Sequence, residues 1–501
     1  MLEIEGMKYI LKTYQNSLYR RGFLLTNLNK LDFNNKLTQR VLSGWKKLEF
    51  NLYNIWFDPN TEYAIVEEDG YKIFLLGLVL NPFDKRNDME EICNCLLVEK
   101  RKSEDDFLDY LDQLSGRFVI ISQTPDCTEV YHDACATRTV FYDTLNEYKA
   151  VSSHAMLIAD LFNYSISKNA MDISTHPDFR RVRYLPGLLS PFDEIRPLTP
   201  NTKYQVDERT VKRIFPRYPL EVLSSSDEVV NELLSIMQTQ ADLLCSNNKV
   251  SVSLTAGLDS RLTYAIMANV KGSDINYFTH KSLESPEVYR EDIEIAEKLA
   301  ELYDNPYRVY EYEFDKEQEG MAEFKQIWYK NLGMRRGSVY LFKMYADEYP
   351  AERIHIRSNI AEIGRVFYKN RNEELSATEL ARLYTITSLK ATLKDNPDVI
   401  NWFQEFINIT DFQKEHFFNY DYADLFYWEH RMCLWHSWIV LESDMAYDTF
   451  ILYNNRVLLS KMLSIPYEER RSGELFLKLI RKANHEVLKY PINGQEFNPI
   501  G

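Results

Sequence analysis

Between residues 226 and 312, short β-branched segments alternate with helical periods, and this alternation limits the fold more than any other feature of the chain. Asp227 to Cys245 carries apolar residues at helical spacing, and Lys249-Val250-Ser251-Val252-Ser253-Leu254 follows as a strand. A helix over about 260–269, a strand at Asn276-Tyr277-Phe278-Thr279-His280, a helix over about 288–303 and a strand over 307–312 complete a βαβαβ run. Such a run calls for a parallel sheet, because a crossover helix is what returns the chain to begin a parallel neighbour. Residues 340–490 read as mostly helical, with one further strand at Arg353-Ile354-His355-Ile356.

The first half has a different texture. Tyr63 to Glu68 leads through Asp69-Gly70 into Tyr71 to Leu80, a hairpin signal followed by a buried strand. A helical period covers 104–115, and short strands follow at 117–122, 129–133, 139–143 and 149–153. The proline-rich stretch 185–220 has the composition of a connector. The chain therefore divides into 1–215, α+β and strand-rich, and 216–501, α/β with a parallel sheet and a helical C-terminal part. At 501 residues, more than one core is expected. The 34 tyrosines and 27 phenylalanines fit half-buried pleated surfaces.

The chemistry concentrates at Leu254-Thr255-Ala256-Gly257-Leu258-Asp259-Ser260, where a strand of the parallel sheet gives way to a helix. A helix start offers free N–H groups and the positive end of the dipole to an anion. Thr255 and Ser260 add hydroxyl donors, Gly257 lets the backbone approach a phosphate, and Asp259 can hold the Mg²⁺ that accompanies it. The plainer alternative is a cap, with Asp259 or Ser260 closing a helix that begins at Arg261. Neither a GxxxxGK[ST] loop nor a GxGxxG after a strand occurs.

Charge and cysteine content exclude several classes. A net charge of -16 argues against nucleic acid as a partner. No apolar run approaches the roughly 20 residues of a membrane span, and Met1 to Gly6 lacks the pattern of a secretory signal. The six cysteines form no CxxC pair and read as free thiols of a cytoplasmic protein.

The segment Ser253-Leu254-Thr255-Ala256-Gly257-Leu258-Asp259-Ser260 resembles the pyrophosphate-binding SGGxDS motif of the asparagine synthetase-like ATP pyrophosphatases, with Thr255 for Ser and Ala256 for the first Gly. Tyr277-Phe278-Thr279-His280, followed by Glu291-Asp292, is similar to the strand and acidic helix start that flank adenine in that family. This implies nucleotide contacts at Phe278 and Thr279. Ser358-Asn359-Ile360-Ala361-Glu362 resembles the family's GxGxDE loop without its glycines, which implies Glu362 as a second metal carboxylate and catalytic residue. Lys489 stands near the position of the family's terminal lysine, which stabilises charge at the α-phosphate. In the first half, Leu114-Ser115-Gly116-Arg117-Phe118, Asp133 to Tyr142 and Tyr184-Leu185-Pro186-Gly187 resemble segments of the class II glutaminase fold, an Ntn-type β-sandwich. Asn454-Asn455-Arg456 resembles a family segment whose arginine is architectural.

A working class II glutaminase has cysteine at position 2, where this chain has Leu2. The resemblance therefore implies an N-terminal domain inactive towards glutamine, as in the β-lactam synthetases and lasso-peptide cyclases of the family. It implies ATP and Mg²⁺ as cofactors and AMP-forming activation of a small-molecule or peptide carboxylate as an acyl-adenylate. An amine or ammonia then forms the amide, and a homodimer is among the assemblies the resemblance admits. Two other readings are a sulfur-transferring or tRNA-modifying pyrophosphatase and a degenerate nucleotide-binding paralogue. Upstream of the C-terminus, Arg431 and Trp435 share a helix face. They read as a pocket wall pairing a carboxylate or phosphate, or as an arginine stacked on tryptophan in the core. His430 and His436 have no metal spacing. Arg470, Arg471, Lys478 and Arg481 read as phosphate-facing residues or as a charged helix face.

Overall fold

The computed structural model describes residues 13–334, 338–388 and 390–497. Leu2 and the rest of the segment before residue 13 lie outside the described residues.

The protein is a mixed α/β structure with two antiparallel sheets and one parallel sheet. Each antiparallel sheet has six strands. One runs in the order Ile195–Pro197, Phe141–Asp143, Ala150–Ser152, Phe23–Thr26, Tyr53–Phe57, Lys46–Phe50. The other runs Thr210–Arg213, Thr202–Gln205, Thr128–His132, Ser115–Gln123, Tyr71–Leu80, Tyr63–Glu68. Alternate residues of the two sheets, Phe23 and Leu25, Ile55 and Phe57, Phe74 and Leu76, Val119 and Ile121, meet in one core, as the period-2 geometry of strands requires. The opposite residues of the second sheet, such as Ile73, Leu75, Phe118 and Ile120, face the helices Met89–Lys102 and Glu104–Gln113.

The connector differs from the composition-based expectation. Its 195–197, 202–205 and 210–213 segments are strands that extend both antiparallel sheets at their edges, where proline is tolerated. The motif glycine Gly116 has φ +129, and a Cβ there would meet Leu78 O at 2.2 Å. Gly77 on the adjacent strand, φ +112 and paired with Phe118, is likewise crowded by Arg117 O. The two strands approach too closely at this point for side chains.

The parallel sheet has five strands in the order Tyr307–Tyr312, Ile275–Ser282, Val250–Ser253, Ile354–Arg357, Thr449–Ile451. Every pairing in it is parallel. The first of these strands in chain order, Val250–Ser253, is central, and the later strands are added outward on both sides of it. Loops after such a strand diverge and leave a crevice at its carboxyl end. The aromatic residues are not confined to strands: Phe403, Phe406, Phe412 and Phe426 pack from helices and loops around His430.

The helical run Tyr422–Phe426, Tyr427–His436, Ser437–Ser443 is π-wound over its middle ten residues. There the Ser437 Oγ reaches back five residues to Met432 O at 2.7 Å. Wider winding of this kind concentrates at functional positions. No helix among the described residues is long and apolar enough to cross a membrane.

Candidate active site at the carboxyl end of the parallel sheet

Leu254 ends the central strand, fully buried, with its N–H donated to Phe278 O at 2.8 Å. The Thr279 hydroxyl donates to Leu254 O at 2.7 Å and accepts from the Tyr307 hydroxyl at 2.8 Å, so three strands hold the start of the loop. The helix that follows is Leu258–Met267, with Gly257 as its cap residue. This overturns the alternative of a helix from Arg261 capped by Asp259 or Ser260. Gly257 supplies no side-chain acceptor, and among the described residues the N–H groups of Leu258, Asp259 and Ser260 have no hydrogen-bond acceptor. These three amides form the open positive end of the helix.

The upstream amides are engaged. The Thr255 and Ser260 hydroxyls lie 2.8 Å apart; Thr255 N–H donates to Ser260 Oγ at 3.3 Å and Gly257 N–H to Thr255 Oγ1 at 3.2 Å. Ala256 N–H donates to Asp292 Oδ1 at 2.8 Å. Asp292 thus places a carboxylate oxygen on the loop where a phosphate oxygen could sit. Burial raises its pKa, opposed by that amide and reinforced by Glu291.

Two further groups fix the loop that sequence reasoning did not assign. Arg261, fully buried, donates to the carbonyls of Val487 at 2.6 Å, Tyr490 at 2.9 Å and Pro491 at 2.8 Å. Asn493 N–H donates to Ala256 O at 3.2 Å. The C-terminal segment is therefore strapped to the 254–260 turn, through contacts too distant in sequence for any local signal.

Asp259 and Glu362 come together. Burial pushes the Asp259 carboxyl up to about 7, against the pull of Arg365 and with the help of the Glu362 charge. Arg365 Nη2 donates to Asp259 Oδ2 at 2.7 Å. Asp259 Oδ1 and Glu362 Oε2 are both buried without a hydrogen-bond partner among the described residues. Orphaned carboxylate oxygens are costly and are commonly repaid by a cation. Among the described residues no group of three or more His, Cys, Asp or Glu forms an all-protein metal site. Mg²⁺ is generally held by one or two carboxylates completed by substrate phosphates and water, and this pair fits that pattern. Before Glu362, Ile360 adopts φ +77, a conformation that favours glycine.

Two expected site residues have their side chains engaged with other groups. The Phe278 ring packs against Tyr310, Tyr349 and His355 at centroid distances of 5.4, 5.7 and 5.0 Å, so only its backbone remains for a nucleotide. Lys489 pairs with Glu486 at the surface and is not among the charges that act on Asp259. The 3₁₀ winding of His485–Lys489 aligns residues three apart, which joins this pair to each other and not to the carboxylates. Of the basic residues weighed for phosphate, Arg470 is paired with Asp424 at 2.9 Å and Lys478 with Asp227 at 3.0 Å.

No protein-family model matches the chain, and no curated protein matches it. Among solved structures, it is similar to the allosteric regulatory enzyme of purine biosynthesis at 11% identity and a TM-score of 0.25, over 59% of this chain and 60% of that one. Similarity to glutamine phosphoribosylpyrophosphate amidotransferase from B. subtilis is 11% with a TM-score of 0.23, over 60% of this chain and 61% of that one. For NMN synthetase from Francisella tularensis the values are 13% and 0.20, over 42% of this chain and 95% of that one. The match thus spans about six tenths of the first two structures' length. Likeness this distant leaves the functional reading to the geometry of the site.

Proposed function

We propose that this protein is an ATP-dependent ligase of carbon–nitrogen bonds that releases AMP and pyrophosphate. The observation that carries the reading is the pair of buried oxygens without a hydrogen-bond partner among the described residues, Asp259 Oδ1 and Glu362 Oε2, beside the start of the Leu258–Met267 helix, which has no side-chain cap there. An anion fits the helix start and a divalent cation fits the carboxylates, and Mg²⁺·ATP brings the two together.

Leu258, Asp259 and Ser260 donate their N–H groups, and the Thr255 and Ser260 hydroxyls line the same turn, to hold the β- and γ-phosphates. Asp259 and Glu362 hold Mg²⁺, which when bound neutralises charge on the phosphate oxygens. A carboxylate oxygen of the substrate attacks the α-phosphorus in line, the α–β P–O bond breaks and pyrophosphate leaves. An amine or ammonia then attacks the acyl carbon, loses a proton, and AMP departs. The chain's contribution is positioning and electrostatic stabilisation. Arg365 leaves Asp259, and Asp292 leaves Ala256 N–H, as the metal and phosphates take their places.

The test is product analysis with ATP, Mg²⁺ and a panel of amino and peptide carboxylates with free amines. AMP and pyrophosphate are expected, and Asp259→Ala abolishes both; ADP as the product overturns the reading. The hold of Asp292 on Ala256 N–H favours a second reading, a nucleotide-binding paralogue without turnover. Calorimetric binding of ATP with no AMP from any panel member selects it.

A further inference from the structure

Arg431 lies in the π-wound segment with its guanidinium carbon 4.6 Å from the Trp435 ring centroid, 4.8 Å from Phe367, 5.4 Å from Tyr184 and 5.9 Å from Tyr427. Its one hydrogen bond among the described residues goes from Nη1 to the Tyr184 hydroxyl at 3.3 Å, and its Nε is buried without a partner. No carboxylate among the described residues reaches ion-pair distance, although the residue is only 8% exposed. A buried, uncompensated guanidinium is expensive, and stacked rings repay only part of that cost. The two walls Phe367 and Trp435 are half-buried, so the cage opens outward.

The cage adjoins the carboxylate site. Phe367, one wall, is two residues beyond Arg365, the partner of Asp259. The intervening chain is non-helical and spans about 7 Å. Tyr427, another wall, packs on Phe367 at 4.7 Å and feels the charges of Glu362, Arg431 and Asp259 together. An anion on Arg431 would therefore share the Tyr427 wall with the Asp259 and Glu362 carboxylates.

We infer that Arg431 binds a second carboxylate of the substrate, distant from the one that is activated, so that the substrate is a dicarboxylic acid or a peptide with an additional acidic group. This rests on reading the Asp259–Glu362 site as the place of activation. The rings take up none of the guanidinium's N–H donors, and with its one hydrogen bond among the described residues going to Tyr184 the fork keeps donors for a carboxylate.

The experiment uses the full chain with glutarate as a dicarboxylate probe and Mg²⁺·pyrophosphate as a phosphate probe, each followed by calorimetry and thermal melting. Glutarate is expected to bind the wild type and Asp259→Ala alike. Arg431→Gln weakens it roughly tenfold or more, the scale of a charge-assisted hydrogen bond. Mg²⁺·pyrophosphate binding shows the reverse pattern, intact in Arg431→Gln and lost in Asp259→Ala. Arg431→Met fills the cage with an apolar chain and is expected to melt no lower than the wild type, with no shift on adding glutarate. A wild type that does not bind glutarate, an Arg431→Gln protein that binds it undiminished, or an Arg431→Gln protein that loses pyrophosphate instead overturns the inference. Failure of pyrophosphate to bind the wild type overturns the activation reading alone.

Discussion

Asp259 carries the sharpest consequence at the level of single residues. Its carboxyl is shifted from 3.8 to about 7 because burial outweighs Arg365, with Glu362 adding to the rise. Between about pH 4 and pH 7 the folded chain keeps a proton that the unfolded chain has released, so stability falls as pH rises through that window and levels off above it. Relative to the wild type, Asp259→Asn is expected to flatten this dependence and to gain up to about 4 kcal/mol at pH 8, at about 1.4 kcal/mol per pH unit of separation. Urea unfolding at pH 5 and pH 8 measures it. Mg²⁺·pyrophosphate, which needs the charged carboxylate, binds more tightly as pH rises through 7. Arg365 and Asp292 each engage the same turn, Arg365 through the Asp259 carboxylate and Asp292 through Ala256 N–H.

Among the elements, the central strand and its helix owe the open turn between them to an interruption of both periods. A β-branched run stops at Leu254, Gly257 adopts extended backbone as the cap, and the helix begins with three amides unsatisfied. In the antiparallel half, close approach makes glycine necessary. At Gly116 a Cβ would meet Leu78 O at 2.2 Å, with φ at +129 besides. Gly116→Ala is expected to cost about 2 kcal/mol or more, read as a lower urea midpoint at unchanged slope. Both features were visible in the sequence as motif glycines. The strands at 195–213 were not, because their proline-rich composition reads as loop and only the sheet edges they meet make them strands. Thr449–Ile451 has three residues, too few to show a period, and exists through its pairing with Ile354–Arg357.

Across the whole molecule, the halves are locked by buried charge. Arg117, from the strand Ser115–Gln123, forms a two-pronged pair with Asp444, its Nη2 donating at 2.6 Å. Arg21 donates from Nη1 to Asp444 O at 2.9 Å and pairs with Asp448 at 3.2 Å. Against the cost of burial, Arg21, Arg138 and Arg117 hold the Asp448 carboxyl well below the usual carboxylate range. A second lock joins Arg213, on the last antiparallel strand, to fully buried Glu429 through bonds of 2.7 and 2.9 Å. Glu429 is two residues from Arg431 on the π-wound segment, so the antiparallel half helps set the wall of the candidate pocket. Asp444→Asn leaves buried Arg117, Arg138 and Arg21 to share the single carboxylate of Asp448 and is expected to cost roughly 3 kcal/mol in urea unfolding. Asn454, from the segment matched to an architectural motif, adds hydrogen bonds to Gly116 O at 2.6 Å and Asp133 Oδ1 at 2.8 Å.

By itself the sequence determined the parallel sheet, the hairpins of the first half and the strand-to-helix turn at 254–260, because periodicity, turn residues and capping act within a few positions of one another. It also pointed to Asp259 and Glu362 through motif resemblance. Tertiary structure alone decided that Phe278 belongs to the core, that Lys489 faces Glu486, that Asp292 and Arg365 reach the 254–260 turn, and that Arg431 stands caged with no counter-ion among the described residues. Each of those outcomes depends on which distant side chain arrives at 3–6 Å, and the energy of a charge is set by that neighbour and by the exclusion of water, neither of which local pattern encodes.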